Sequence, residues 1–188
     1  MSLKVKKVII IPIIIIAIII STIGMTFCMK MYNKTTYQQE YVNIIEKYAK
    51  EYKVDKNLIF AIVNTESDFK EDAVSKVGAR GLMQLMPKTF DWVKTKLKDK
   101  TTTYDDMFDP EKNVKFGAYL ICILLEEFDD NEAAIAAYHA GRGAVNKWLN
   151  DERYSDNKKN LKKIPISDTE HYVRKVMKSY EMYQEIYK

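Results

Sequence analysis

Glycine (6) and proline (4) are scarce in this chain of 188 residues. Folds built from many short strands and tight turns draw heavily on both, so a sandwich or barrel is disfavoured. Cysteine is nearly absent. Cys28 ends one apolar run and Cys122 lies deep in another, which suggests neither a disulfide framework nor a metal site. The 2 histidines, His139 and His171, form no ligand-spaced cluster, so no metal or other cofactor is expected. A strong charge of one sign is missing too. Lys and Arg number 30 against 26 Asp and Glu, and Lys4, Lys6 and Lys7 account for most of the excess. The remainder is close to neutral, and a nucleic-acid partner is not expected.

The chain is 47% hydrophobic and 30% charged, which suits one packed domain with an appendage and excludes general disorder. Val8 to Met29 is apolar almost throughout, with isoleucines dense from Ile9 to Ile20. About 20 such residues cross a bilayer as a helix. Pro12 stands near the start, where a helix tolerates it. The preceding lysines should stay in the cytoplasm, leaving the C-terminal bulk outside. A cleaved signal peptide is the competing reading. Ile23-Gly24-Met25-Thr26-Phe27-Cys28 contains no small-residue cleavage pattern, which favours an uncleaved single-pass anchor. The expected organisation is a cytoplasmic stub and anchor over 1–29, a polar spacer over 30–38 and a helical domain over 39–188.

Within that domain, Tyr41, Ile44, Ile45, Tyr48 and Tyr52 follow helical spacing and predict a first helix over 39–52. Asp55 can cap a second, Leu58 to Asp68. Periodicity fades from Phe69 to Met86, a loop; Pro87 opens a third helix, to about Leu97. Residues 98–110 read as irregular. Asn113 can cap a helix whose apolar run, Ala118 to Leu125, predicts a central, buried position. Asn131 can cap an alanine-rich helix ended by Gly141, and Val145 to Leu149 predicts a further turn or two. After a charged loop over 150–163, Ser167-Asp168-Thr169-Glu170 reads as a capping box. The last helix then places Tyr172, Val173, Val176, Met177, Tyr180 and Tyr183 on its inner stripe.

One residue of this pattern carries chemistry. Ile59, Ile62 and Val63 form an inward stripe whose next position is Glu66. A carboxyl group there is partly desolvated, which raises its pKa and fits it to donate a proton near neutrality and take one back. Periodicity alone leaves a second possibility, that Glu66 at the helix end turns to solvent.

Four motifs stand in order. Glu66-Ser67 is followed by Gly78-Ala79-Arg80-Gly81-Leu82-Met83-Gln84-Leu85-Met86-Pro87, then by Asn113-Val114-Lys115-Phe116-Gly117-Ala118-Tyr119-Leu120. Ala137-Tyr138-His139-Ala140-Gly141-Arg142-Gly143-Ala144-Val145 comes next, with Ile164-Pro165 and Tyr172-Val173 beyond. The series resembles the soluble lytic transglycosylase (SLT) domain of the lysozyme-like superfamily over about residues 40–187. The resemblance implies an all-α, lysozyme-like domain behind the N-terminal transmembrane helix. It implies a lytic murein transglycosylase acting on peptidoglycan glycan strands. Glu66 would be the sole catalytic carboxyl group, cleaving between N-acetylmuramic acid and N-acetylglucosamine to leave a 1,6-anhydro sugar.

The same resemblance implies substrate-binding roles for Ser67, Met83, Gln84, Tyr138, His139 and Tyr172, with the Tyr172 hydroxyl on the catalytic carboxyl group. Read without it, Ser67 is a helix-end hydroxyl, Met83 and Tyr172 are core residues, and Gly78 and Gly81 are turn glycines. Two departures stand out. His139 occupies a position usually asparagine in the family, and Glu170 one often arginine. A muramidase on the same fold, using water in place of the sugar hydroxyl, is the nearest alternative. A catalytically silent, membrane-tethered glycan-binding protein is another. An anchored domain with a short spacer should remodel wall locally, for instance around a secretion or transfer complex, though no residue identifies such a partner.

Overall fold

A long apolar helix needs either packed protein or a membrane to cover it. A computed structural model describes residues 3–187, with side chains from residue 15. The first helix, α1 (Leu3–Thr36), holds a 22-residue stretch, Ile15–Thr36, of mean hydropathy 1.8 and with 0% buried. It is long and apolar enough to cross a membrane. Lys4, Lys6, Lys7 and the start of the isoleucine run lie outside the described side chains. The polar stretch expected as a spacer is helical as far as Thr36. No glycine or proline interrupts it, and Thr35 returns its hydroxyl to the Met31 carbonyl at 3.1 Å. At 1.5 Å per residue a helical segment reaches less than half as far as an extended one.

The chain divides into two compact units, residues 1–38 and 39–188. The second contains α2 (Val42–Tyr52), α3 (Lys56–Ser67), α4 (Pro87–Leu97), a 3₁₀ turn (Tyr104–Phe108), α5 (Pro110–Phe128), α6 (Asn131–Ala140), α7 (Arg142–Leu149) and α8 (Ser167–Ile186). No strand forms among the described residues. Two isolated antiparallel bridges, Val74 with Arg80 and Arg80 with Leu85, fold the loop between α3 and α4.

Helix α3 is the axis of the unit. Asp55 caps it, accepting from the Asn57 N–H at 2.8 Å. Leu58 to Val63 are all buried, so the helix is enclosed on every side rather than along one stripe. It packs on α8 and α2. From α8, Tyr183 stacks on Phe60 at 5.5 Å. Helix α5 packs against α2, α4, α6 and the 3₁₀ turn. It is central as expected, although Tyr119, Cys122, Ile123 and Leu125 keep partial exposure.

Local details differ from the sequence reading where two polar residues competed for one cap. Asp109, not Asn113, caps α5, accepting from the Lys112 N–H at 2.9 Å. Asn113 lies inside the helix and is 0% exposed. Its carboxamide accepts from the Met83 N–H at 2.8 Å and donates to the carbonyls of Arg80 and Met107 at 3.0 and 2.8 Å. One buried amide thus satisfies three backbone groups of otherwise irregular chain. Asp130, not Asn131, caps α6, accepting from Ala133 N–H. The capping box at Ser167 does not form. Helix α8 starts at Ser167 itself after Ile166, with no side-chain cap, and Glu170 is left on the surface. Helix α7 begins three residues earlier than expected, immediately after Gly141.

Two glycines allow this packing. A Cβ at Gly81, where φ is +73°, would lie 2.0 Å from the Met107 carbonyl oxygen and 2.3 Å from Asn113 Nδ2. A Cβ at Gly117 would lie 2.2 Å from Met83 Sδ. The loop backbone and the α5 backbone approach closely because these positions have no side chain.

Candidate active site

The last turn of α3 sets the position of Glu66. The helix ends one residue later at Ser67, and the chain reverses through Asp68 and Phe69, both left-handed at φ 51° and 61°. Such angles are unfavourable for residues with side chains and persist when the surroundings hold them. Phe69 is buried against Phe60, ring centroids 6.3 Å apart, and the Asp68 N–H bonds the Asn64 carbonyl at 3.2 Å. Ser67, itself buried, donates its hydroxyl to the Leu82 carbonyl at 2.8 Å. The corner that carries Glu66 is therefore tied to the loop beyond it.

Glu66 is part-buried, and its Oε1 accepts from the Tyr172 hydroxyl of α8 at 2.6 Å. Burial pushes its pKa up to about 7, while the Tyr172 hydrogen bond and the Lys175 charge act in the opposite direction. The converging carbonyls at the end of α3 also disfavour an anion there. Lys175 stays near by, its Nζ 3.4 Å from the Thr65 carbonyl. Burial, with the Glu66 charge behind it, holds the hydroxyls of Tyr138 and Tyr172 far above their ordinary pKa, so both remain donors. Tyr138 donates to the Met83 carbonyl at 2.5 Å.

The other residues singled out from sequence divide into two groups. Met83 is 0% exposed, packed on Gly117. Gln84, left-handed at φ 46°, donates from Nε2 to the Ala73 and Gly81 carbonyls, each at 3.0 Å. With Ser67 these two brace the loop. Tyr172 bonds Glu66 instead, Tyr138 lies within range of its charge, and His139 meets Tyr172. The His139 ring stacks on Tyr172 with centroids 4.4 Å apart. Tyr138 and His139, though not Glu66 or Tyr172, line a groove of about 420 Å³ together with Met86, Trp92, Leu124 and Arg142.

Glu170 does not enter this groove. It lines a separate cavity of about 360 Å³ with Glu132, Arg174 and Lys178. Asp68, two residues from Glu66, is exposed and lies 3.5 Å from Asn64 Nδ2. Among the described residues, no second carboxylate is among the groups that shift Glu66. Lys175 and Trp92 were not singled out from sequence, and Asn113 was read only as a helix cap and as part of a motif. Only Asn113 carried a signal, a polar residue followed at helical spacing by the apolar Phe116 and Gly117.

A part-buried glutamate near the end of one helix, with a tyrosine from the last helix upon it, stands in an all-helical, lysozyme-like fold. Solved structures share it. The chain superposes on lytic transglycosylase Slt of Pseudomonas aeruginosa, an inactive mutant, with TM-score 0.69 and 31% identity over 80% of this chain and 25% of that one. For the 70 kDa soluble lytic transglycosylase of Escherichia coli the values are 0.73, 26%, 81% and 25%. The family model of the transglycosylase SLT domain matches residues 43–161, and the chain belongs to that family. Among curated relatives, membrane-bound lytic murein transglycosylase C of Edwardsiella ictaluri is 34% identical over 124 residues, 61% of this chain and 34% of the relative. The soluble lytic murein transglycosylase of Escherichia coli K12 is 32% identical over 146 residues, 76% of this chain and 22% of the relative. The chain thus spans about a third or less of these relatives.

Proposed function

We propose that the protein is a membrane-anchored lytic murein transglycosylase that cuts the β-1,4 bond between N-acetylmuramic acid and N-acetylglucosamine in peptidoglycan. The observation that carries this reading is Glu66 itself, set at the end of α3 with the Tyr172 hydroxyl 2.6 Å from its Oε1 and its pKa pushed up to about 7, so that both protonation states are accessible near neutral pH. Glycosidases that use a carboxylate nucleophile keep it about 5 Å from the acid. Among the described residues no carboxylate is among the groups that shift Glu66, which supports a reaction in which the sugar supplies the nucleophile.

Glu66 donates its proton to the glycosidic oxygen as the C1–O bond breaks, and the muramyl acetamido oxygen stabilises the electron-poor C1. The Glu66 carboxylate then takes the proton of the C6 hydroxyl, and O6 closes on C1. The product is 1,6-anhydro-N-acetylmuramic acid. Glu66 returns to its protonated state and no water is consumed. Tyr172 steadies the carboxylate form between the two transfers. Tyr138 and His139 face the strand in the groove, and Ser67, Met83 and Gln84 act by shaping the loop beside it. Helix α1 holds the unit at the membrane as a single pass, its N-terminal lysines in the cytoplasm and the groove outside.

The test is digestion of purified peptidoglycan by the full chain in detergent, with products identified by mass spectrometry. Anhydro-muramyl ends are expected. Reducing muramyl ends would assign a hydrolytic muramidase, and binding without released fragments would assign a silent glycan-binding protein.

A further inference from the structure

The stack of His139 on Tyr172 has no part in the two proton transfers above. The rings lie 4.4 Å apart at an interplanar angle of 27°. The start of α8 braces the imidazole. Its Nδ1 is 3.1 Å from Thr169 Oγ1, and its Nε2 is 3.7 Å from Asp168 Oδ2. Thr169 is 1% exposed, so its hydroxyl has no free path to water. On the far end of the phenol, the Tyr172 hydroxyl meets Glu66 at 2.6 Å. A hydroxyl at the end of a long aromatic side chain leaves hydrogen-bond range after a modest rotation about Cα–Cβ. Something must therefore fix the ring, and His139 covers it.

We propose that His139 is a positioning residue, whose ring, braced by Thr169 and Asp168, clamps Tyr172 in the rotamer that presents its hydroxyl to Glu66. The proposal rests on Glu66 as the catalytic acid, but its decisive readout needs no turnover. The Tyr172 hydroxyl favours the carboxylate form. Loosening the clamp therefore raises the Glu66 titration midpoint. Lys175 from α8 and Tyr138 from α6 also act near Glu66, and the His139 ring stacks on neither, so replacing His139 acts on Glu66 through Tyr172. Asp168 from α8 faces His139 directly, and Arg142 from α7 shares its groove. A histidine that merely touched sugar would alter KM and leave the Glu66 midpoint alone.

The experiment titrates the full chain in detergent and follows carboxyl bands by infrared difference spectroscopy. The Glu66 band is assigned by subtraction of Glu66→Gln. His139→Ala is expected to raise the midpoint by about 0.5–1 unit, the size of one weakened hydrogen bond. His139→Phe keeps an aromatic stack without the polar contacts and is expected to restore most of the native value. Peptidoglycan kinetics on the same proteins should show kcat falling in His139→Ala by more than KM changes, since His139 also faces the strand. An unchanged midpoint in His139→Ala overturns the proposal. So does a His139→Phe midpoint displaced as far as that of His139→Ala. If the native chain releases no fragments, the proposed function fails, while the midpoint comparison still decides the clamp.

Discussion

Tyr172 donates its hydroxyl to Glu66 Oε1 at 2.6 Å across 106 residues of chain. Helices α3 and α8 pack along each other, and this bond is where that packing meets the chemistry. If Tyr172 restrains the Glu66 pKa, Tyr172→Phe removes a contribution that lowers it. The alkaline limb of kcat/KM, expected near pH 7 in the native chain because the protonated acid starts the reaction, should move up by about 0.5–1 unit. The maximum rate should fall about 10-fold or more, as the carboxylate intermediate loses its donor. A pH–rate profile of both proteins checks this, and an unmoved limb would contradict it.

Glu66→Gln should reduce fragment release by at least about 100-fold, the lower range for loss of a positioned acid–base group. Gln is close in shape, so far-UV circular dichroism should be unchanged. Full activity in this variant would remove Glu66 from the mechanism.

The same substitution should stabilise the fold in a pH-dependent way. Glu66 has a folded pKa of about 7 against an ordinary 4.5. Folding therefore favours its protonated form. That contribution is fully present below about 4.5 and is lost as pH rises through 7. Neutral Gln avoids the loss, so Glu66→Gln should gain about 1–3 kcal/mol at pH 8 and almost nothing at pH 4. Denaturant unfolding at the two pH values measures the difference. An equal gain at both would show that ionisation is not its cause.

Asn113→Ala should leave the Met83 N–H and the Arg80 and Met107 carbonyls without their buried partner. The expected loss is about 2–4 kcal/mol. Gly81→Ala should be at least as damaging, because its Cβ meets the Met107 carbonyl and Asn113. Thermal melts in detergent read both. A melt within 1–2 °C or so of native for either would show that the loop relaxes around the change.

Orientation across the membrane is open to labelling. With Cys28 and Cys122 replaced by serine, a cysteine at Asn157 should react with a membrane-impermeant maleimide on intact spheroplasts. A cysteine at Ser2 should react only after lysis. The reverse pattern would place the groove on the cytoplasmic side.

The helical class, the apolar N-terminal run and the order of the second unit's helices follow from local chemistry, and each was legible. Periodicity marks a face, Asp55 marks a start, and Pro87 marks another. Glu66 was legible as the inward continuation of Ile59, Ile62 and Val63, because helical spacing repeats whatever lies around it. Caps were less legible where two capable residues adjoin, as at Asp109 with Asn113 or Asp130 with Asn131. Both residues can accept from a free N–H, and only the chain path selects one.

What sequence by itself determined is which residues can form helices and which face each helix must hide, since those depend on spacing of three and four residues. Whether Glu66 faced protein or water was decided by tertiary structure alone. Its environment comes from Tyr172 more than a hundred residues away, from Lys175, and from a corner held by Phe60 and Leu82. The same holds for Asn113, whose three partners belong to segments that meet only after folding. Desolvation and hydrogen bonding depend on distance in space, and helical periodicity carries no information about distance between helices.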